Sequence, residues 1–386
     1  MATTAQDQGR VDALSRERCW FRNTRGGVCV VACFGYHPWF THRYTLAPPH
    51  ALPPKRDHYA SLFLPHSSPN DNHLGNLLDA LLPFLPDPAP LQPLLHTLRQ
   101  NLATHLEEGR LTMLGEVGLD ASARLRWPIE ARHVWEEMYG KGEANSQANS
   151  QEANSREDDE WKRLTPFKVP IAHQRAVLEA QMEIAIELGV NISFHSVASA
   201  GPTMDVLRSM KTKHGPHFTH RVNVDLHSAG GWSPQFWIQA QVYPSFPFAT
   251  PLLTLSPPPP QKSLPNLYAS PSIPITSRSP SAPSLIRAIA RDRMLIESDT
   301  HDATLNTRYL WAATEWVGRL KGWKVEGLHH NHNHNQHQEE DEDWELESEE
   351  EEVYDHRGKP IDPAPHEIWT VRTLERNWAR FMRLLD

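Results

Sequence analysis

The sequence predicts an α/β fold built on a parallel sheet. Three observations carry that prediction. The chain has 386 residues, 39% of them hydrophobic, enough for one large α/β barrel or two ordinary domains. Helical stretches alternate with short apolar runs across short connections, which is the rhythm of parallel α/β units. Four of those runs end in a residue able to ligate a metal: Glu116, His195, His227 and Asp299. In a (β/α)8 barrel the C-terminal strand ends all open on one face, so such residues converge.

Taken in order, Ala13–Arg18 reads as a short helix and Val28–Phe34 (VCVVACF) as a buried strand. That strand runs into Gly35, Tyr36, His37, Pro38 and Trp39. The spacing Cys29-x3-Cys33-x3-His37 suggests zinc, but strand positions four apart lie about 13 Å apart, which favours structural cysteines. His37 itself could shape a site or be a turn residue fixed by Pro38. From Ala47 to Pro93 the proline pairs indicate loop, around one leucine-rich helix at Leu74–Leu82. The helix Leu91–Leu106 leads into LTMLGEVGLD (Leu111–Asp120), a buried strand. Residues 121–170 read mostly as a polar insertion.

Val177, Ala180, Ile184 and Leu188 recur at helical spacing within Gln174–Leu188, and Gly189 follows as a C-cap. The strand Val190–Phe194 then ends in His195. A helix near Thr203–Met210 precedes the strand Arg221–Leu226, which ends in His227. After an irregular stretch around a short strand at Leu267–Ser270 come the helix Ser284–Ala290 and the strand Arg293–Glu297, which leads to Asp299. Helices at Leu305–Leu320 and Glu367–Leu385 complete the pattern. The tandem repeat EANSQANSQEANS and the tract HHNHNHNQH have little capacity to bury area. The organisation expected is one domain with low-complexity insertions near 141–160, 241–265 and 329–352.

The net charge is −9, but Glu339–Glu352 holds eleven acids and no Lys or Arg, leaving the rest of the chain near +2. Charge therefore excludes neither nucleic acid nor a small anionic substrate. Three cysteines, all near the start, fit a reducing compartment better than a disulfide framework. No run of about 20 apolar residues and no signal-peptide pattern occurs. The expectation is a soluble protein, cytoplasmic or nuclear, with no membrane partner.

Chemically, Glu116 is the most informative residue. A carboxylate at a buried strand end is rare unless it is paired or bound to metal. A lone histidine after a strand is usually a core or surface residue; four ligand-competent ends in one barrel-like rhythm reverse those odds. A carboxylate can bridge two cations about 3.5–4 Å apart, and such a pair can activate water and stabilise a phosphoryl oxyanion. Mixed histidine and carboxylate ligation suits zinc, manganese or magnesium alike.

GYHPW, GEVGLD, the helix QRAVLEAQMEIAIELG leading into NISFHS, VDLHSAGG and LIESDTHD resemble the ordered motifs of TatD-family metal-dependent hydrolases. These are TIM-barrel members of the amidohydrolase superfamily, often active as deoxyribonucleases. The wording of GYHPW and DLHSAGG is most similar to the fungal branch called cut-nine-interacting proteins. The resemblance implies a TIM (β/α)8 barrel and two divalent ions. It makes Glu116 the bridging ligand, gives His195 and His227 to one metal, and gives Asp299 to the other metal and to water activation. Two departures stand out. Ser196 is followed by Val197 where the family has Arg. The family's first-strand H-x-H is absent before Val28; the only such spacings are His330-x-His332 and His332-x-His334. The expectation is therefore a barrel lacking its first strand and a weakened phosphodiesterase. The alternatives are a catalytically weak scaffold that binds a protein partner through its tails and insertions, and a hydrolase of small amides.

Overall fold

The apolar runs assemble into a five-stranded parallel sheet. Its strands are β1 (Ala32–Phe34), β2 (Thr112–Asp120), β3 (Asn191–Val197), β4 (Val224–His227) and β5 (Leu267–Ser270), neighbours in that order. The computed structural model describes residues 1–18, 30–64, 72–139, 164–228, 230–241, 264–326 and 368–384. All three insertions expected near 141–160, 241–265 and 329–352 fall wholly or almost wholly outside those residues, as do Cys19 and Cys29.

Register matters more here than strand count. Gly118 pairs with His195, His195 with His227, and His227 with Ser270, so one row crosses β2 to β5 at their C-terminal ends. Between Leu114 and Val117 the β2–β3 register shifts, which places Glu116 at an irregularity of the ladder. Beside β1, the Ala2 amide donates to the Cys33 carbonyl (2.8 Å), and the His37 amide donates to the Thr3 carbonyl (3.0 Å). At the other edge Met294 bridges to Ala269 in the parallel sense, and the Leu295 amide donates to the Ala269 carbonyl (2.9 Å).

Helices connect the strands: Leu91–Glu107 before β2, Ile171–Leu188 before β3, Ala200–His214 and Pro216–Arg221 before β4, and Pro234–Gln241 before β5. The inner faces of Leu98, Leu102, Val177, Met182, Val206 and Leu207 pack onto Phe34, Leu114, Ile192, Phe194 and Leu226 in one buried core. Each such side chain contributes about 1.5–3 kcal/mol of burial. The helix Thr370–Phe381 covers the opposite end of the sheet, where the Asn191 and Asn223 side chains both donate to the Phe381 carbonyl.

Several boundaries differ from the sequence reading. Arg221 ends a helix that starts at Pro216, so the strand expected from Arg221 begins only at Val224. Proline at the first helical position pre-sets φ there and costs no hydrogen bond. The expected strand Arg293–Glu297 is reduced to the Met294 bridge and two amide bonds, Leu295 to Ala269 and Glu297 to Pro271, and Arg291–Arg293 is a 3-10 turn. A helix at Lys55–Phe63 stands inside the stretch read as loop. Both flanks of the 121–170 stretch are also ordered: Arg124–Arg126 pairs antiparallel with Leu164–Lys168. These parts share a second core of Tyr59, Leu62, Phe63, Leu77, Leu125, Trp127 and Phe167, which gave no periodic signal because its residues come from short, separate pieces.

Three histidines lie at the seam between the two cores. His58 Nε2 meets the His42 carbonyl at 2.8 Å and His173 Nε2 meets the Thr41 carbonyl at 2.9 Å. His42 is buried, and among the described residues its Nδ1 has no hydrogen-bond partner. Burial first, then the neighbouring Arg43 charge, pushes its pKa from 6.5 down to about 3. The unfolded chain therefore binds a proton that the folded chain refuses, and stability is lost as pH falls from about 6.5 toward 3. Denaturant unfolding at pH 7 and pH 5 should show that loss, and His42→Phe should make it shallower. An unchanged pH slope in His42→Phe would show that His42 is not its source.

Candidate metal centre

Glu116 is the point on which the site closes. Its Oε1 lies 2.7 Å from His227 Nε2, 2.9 Å from His195 Nδ1 and 3.3 Å from His37 Nε2. Three imidazoles from three different elements thus meet one carboxylate oxygen. His195 and His227 come from adjacent strand ends in register, with ring centroids 5.4 Å apart. His37 comes from the turn after β1, with its ring 4.5 Å from that of His195. Pro38 starts a 3-10 turn there, and the His37 side chain accepts from the Trp39 amide, which fixes the ring.

Electrostatics follow from this crowding. Burial opposes charge on His227, but the Glu116 carboxylate outweighs it and pushes the imidazole up to about 10. Burial likewise opposes charge on Glu116, yet the three imidazoles hold its carboxyl far below the usual carboxylate range. His195 is raised, against burial, by hydrogen bonds to Asp120 and Glu116, whereas burial dominates at His37 and lowers it. A partly buried anion ringed by imidazole nitrogens is a donor set that fits a divalent cation. One ligand atom each from His37, Glu116 and His195 lies within 4.8 Å of the others, a spacing a single ion can bridge.

Asp299 is linked to this group through Ser228, the residue after His227. It is exposed, and its Oδ2 accepts from Ser228 Oγ at 2.8 Å. Ser228 also donates its amide to Glu297 Oε1 (2.6 Å), and that oxygen lies 2.8 Å from the same hydroxyl, which the two carboxylates share. Asp299 is therefore tied to the residue next to His227, and its described contacts do not include Glu116. Ser228 and Asp299 both adopt left-handed backbone, φ 45° and 46°, conformations that ordinary residues hold only where the surroundings fix them.

Four other polar residues were missed at the sequence level. Asp225 is buried, with the single Ser270 hydroxyl 2.8 and 2.7 Å from its two oxygens; burial pushes it up to about 6. Ser193 Oγ lies 3.2 Å from His227 Nδ1. Glu297 is pushed up to about 8, chiefly by burial. Asp120 contacts His195 Nε2 at 3.1 Å. Strand alternation holds the available signal: Asp120 shares a face with Glu116, Asp225 with His227, and Glu297 precedes Asp299 by two.

A carboxylate and imidazoles gathered at the C-terminal ends of a parallel sheet define the class: an α/β protein with a metal-competent centre. The family model described as TatD related DNase matches residues 23–338, and the chain belongs to that family, whose fold is the TIM barrel of amidohydrolase type. The chain is 24% identical over 354 residues to Cut9-interacting protein scn1 of Schizosaccharomyces pombe, covering 84% of this chain and 86% of that protein. It is 23% identical over 208 residues to an uncharacterized deoxyribonuclease of Saccharomyces cerevisiae, covering 54% of this chain and 51% of that one. The chain thus spans about half the length of that second relative. Among solved structures it is similar to YjjV, a TatD homolog from Escherichia coli K12, at 11% identity and a TM-score of 0.33, covering 83% of this chain and 76% of that chain. It is also similar to an uncharacterized amidohydrolase from Saccharomyces cerevisiae, at 9% identity and a TM-score of 0.36, covering 82% and 67%.

Proposed function

We propose that the chain is a metal-dependent hydrolase of phosphodiesters with DNA as substrate. The observation that carries this reading is the meeting of His37, His195 and His227 on one Glu116 oxygen at the strand ends of a TatD-related DNase. Glu116, His195 and His227 would hold divalent metal, two ions in the full reading, with zinc, manganese and magnesium all suited to the donors. Bound there, the metal supplies Lewis-acid charge and a water of lowered pKa.

The chain's own residues do the rest. Glu116 lies between the imidazoles, where one carboxylate can serve two sites. Ser193 fixes the far nitrogen of His227, so that Nε2 faces Glu116. Asp299, held by Ser228, is the carboxylate that takes the proton from the attacking water. Asp299→Asn should lower the cleavage rate by about 10²–10⁴-fold, the usual worth of a positioned general base. A rate within a few-fold of wild type removes Asp299 from that role. No helix among the described residues is long and apolar enough to cross a membrane. The reading places the protein in the cytoplasm or nucleus.

A second reading has its own support: the relative that spans most of the chain carries the name of a Cut9-interacting protein. In that reading the barrel is a catalytically weak scaffold. Digestion of single-stranded DNA with added Mn2+ separates the two. Cleavage abolished by a chelator and by Glu116→Gln supports the hydrolase, and a centre still empty at saturating Mn2+ supports the scaffold.

A further inference from the structure

Asp120 ends β2 four residues beyond Glu116, on the same face, and is 2% exposed. Both carboxylate oxygens are committed. Oδ1 accepts from the Ser122 amide (2.7 Å) and hydroxyl (2.5 Å). Oδ2 accepts from the Trp39 indole Nε1–H (2.5 Å) and lies 3.1 Å from His195 Nε2. The backbone is gripped as firmly: the Asp120 amide donates to Gln174 Oε1 (2.8 Å), and its carbonyl accepts from Gln174 Nε2 (2.9 Å). A carboxylate held at this many points cannot turn away from the imidazole it faces.

On the other side of the same ring, His195 Nδ1 faces Glu116 Oε1 at 2.9 Å. A neutral imidazole has one N–H and one lone pair, and the partner of the first decides where the second points. Ionised carboxylates only accept, so without a cation both nitrogens carry protons, one toward Glu116 and one toward Asp120; a cation beside Glu116 takes the place of the Nδ1 proton, while Asp120 keeps the proton on Nε2. We infer that Asp120 is a positioning residue for His195: it takes the Nε2–H and leaves the Nδ1 lone pair aimed at a metal beside Glu116. This rests on the metal-dependent reading above. It also sets His195 apart from His227, whose Nε2 faces Glu116 and whose Nδ1 meets only the Ser193 hydroxyl. The two strand-end imidazoles present opposite nitrogens to one carboxylate. In the same arrangement Trp39 ties the turn bearing His37 to Asp120, so one carboxylate orients two of the imidazoles around Glu116.

Zn2+-loaded, 15N-histidine-labelled protein tests this without reference to activity. The His195 ring is assigned by its loss in His195→Gln. The expected pattern is metal on Nδ1 and a proton retained on Nε2. Asp120→Ala should weaken Zn2+ binding by about 10–100-fold, the range for removing a residue that orients a metal-binding histidine. Asp120→Asn, whose amide oxygen can still accept the N–H, should recover part of that loss and keep the nitrogen pattern. If Asp120→Ala does not fold, the wild-type nitrogen assignment and Asp120→Asn carry the decision. Zinc on His195 Nε2, or Asp120→Ala binding Zn2+ as tightly as wild type, overturns the inference alone. A wild-type chain that takes up no Zn2+ overturns the metal-dependent reading and this inference with it.

Discussion

Glu116→Ala is expected to lose more bound metal than any other single substitution in the proposed centre. The expectation follows from geometry: Glu116 Oε1 is the common neighbour of His37, His195 and His227, at 3.3, 2.9 and 2.7 Å. Removing His195 or His227 takes away one donor and leaves the carboxylate and the other two imidazoles in place. Removing Glu116 takes away the one anion that all three imidazoles share. Elemental analysis after gentle purification should find His195→Ala and His227→Ala partly loaded and Glu116→Ala nearly empty. Full metal in Glu116→Ala would mean that the ions sit elsewhere.

Gly118→Ala has the largest expected effect on stability among substitutions that touch no ligand. Gly118 has φ 153°, and a Cβ built there lies 1.9 Å from the His195 carbonyl oxygen and 2.7 Å from its backbone nitrogen. Those atoms belong to β3, so the clash cannot be relieved by a side-chain rotation. The strands must separate where Gly118 pairs with His195. A loss of more than about 3 kcal/mol is expected, at the upper end of single-site effects. Denaturant unfolding measures it, and a change below 1 kcal/mol, on the order of an ordinary surface substitution, would show that the close approach is absent. Because His195 moves with the strand, the variant should bind metal poorly even where it folds. This is the physical content of the glycine in GEVGLD: β2 and β3 come together closely enough to bring Glu116 and His195 within hydrogen-bond distance.

How much of this was legible in the sequence depends on what each residue owes to its neighbours along the chain. Glu116, His195 and His227 could be found because each ends an apolar run, and a polar residue there is conspicuous. The helix before β3 was read as Gln174–Leu188 and is Ile171–Leu188, stopped by Gly189 at φ 71°, because periodicity and a glycine cap are both local. Asp120 stood in the quoted motif without a role, since its partners Trp39, Gln174 and His195 are 81, 54 and 75 residues away. For His37, readable as either a site or a turn residue, the contacts come from both directions: its Nδ1 accepts from the Trp39 amide and its Nε2 lies 3.3 Å from Glu116 Oε1. Asp299 was grouped with the other strand-end ligands on its position alone. In space it is joined to the centre through Ser228, a link made by tertiary contact and by left-handed backbone that no periodic pattern announces. The small second core was illegible for the same reason, being assembled from Lys55–Phe63, Asn72–Leu81 and one antiparallel strand pair.

Metal is expected to bind where β2, β3 and β4 bring His195 and His227 onto Glu116. Anomalous diffraction from crystals grown with Mn2+, recorded near the manganese edge, tests it most directly. The account predicts a peak within about 2.0–2.3 Å of a Glu116 oxygen and of His195 Nδ1, ordinary metal–ligand distances for oxygen and nitrogen donors. An occupied peak elsewhere with the Glu116 centre bare, or no peak at saturating Mn2+, would contradict it.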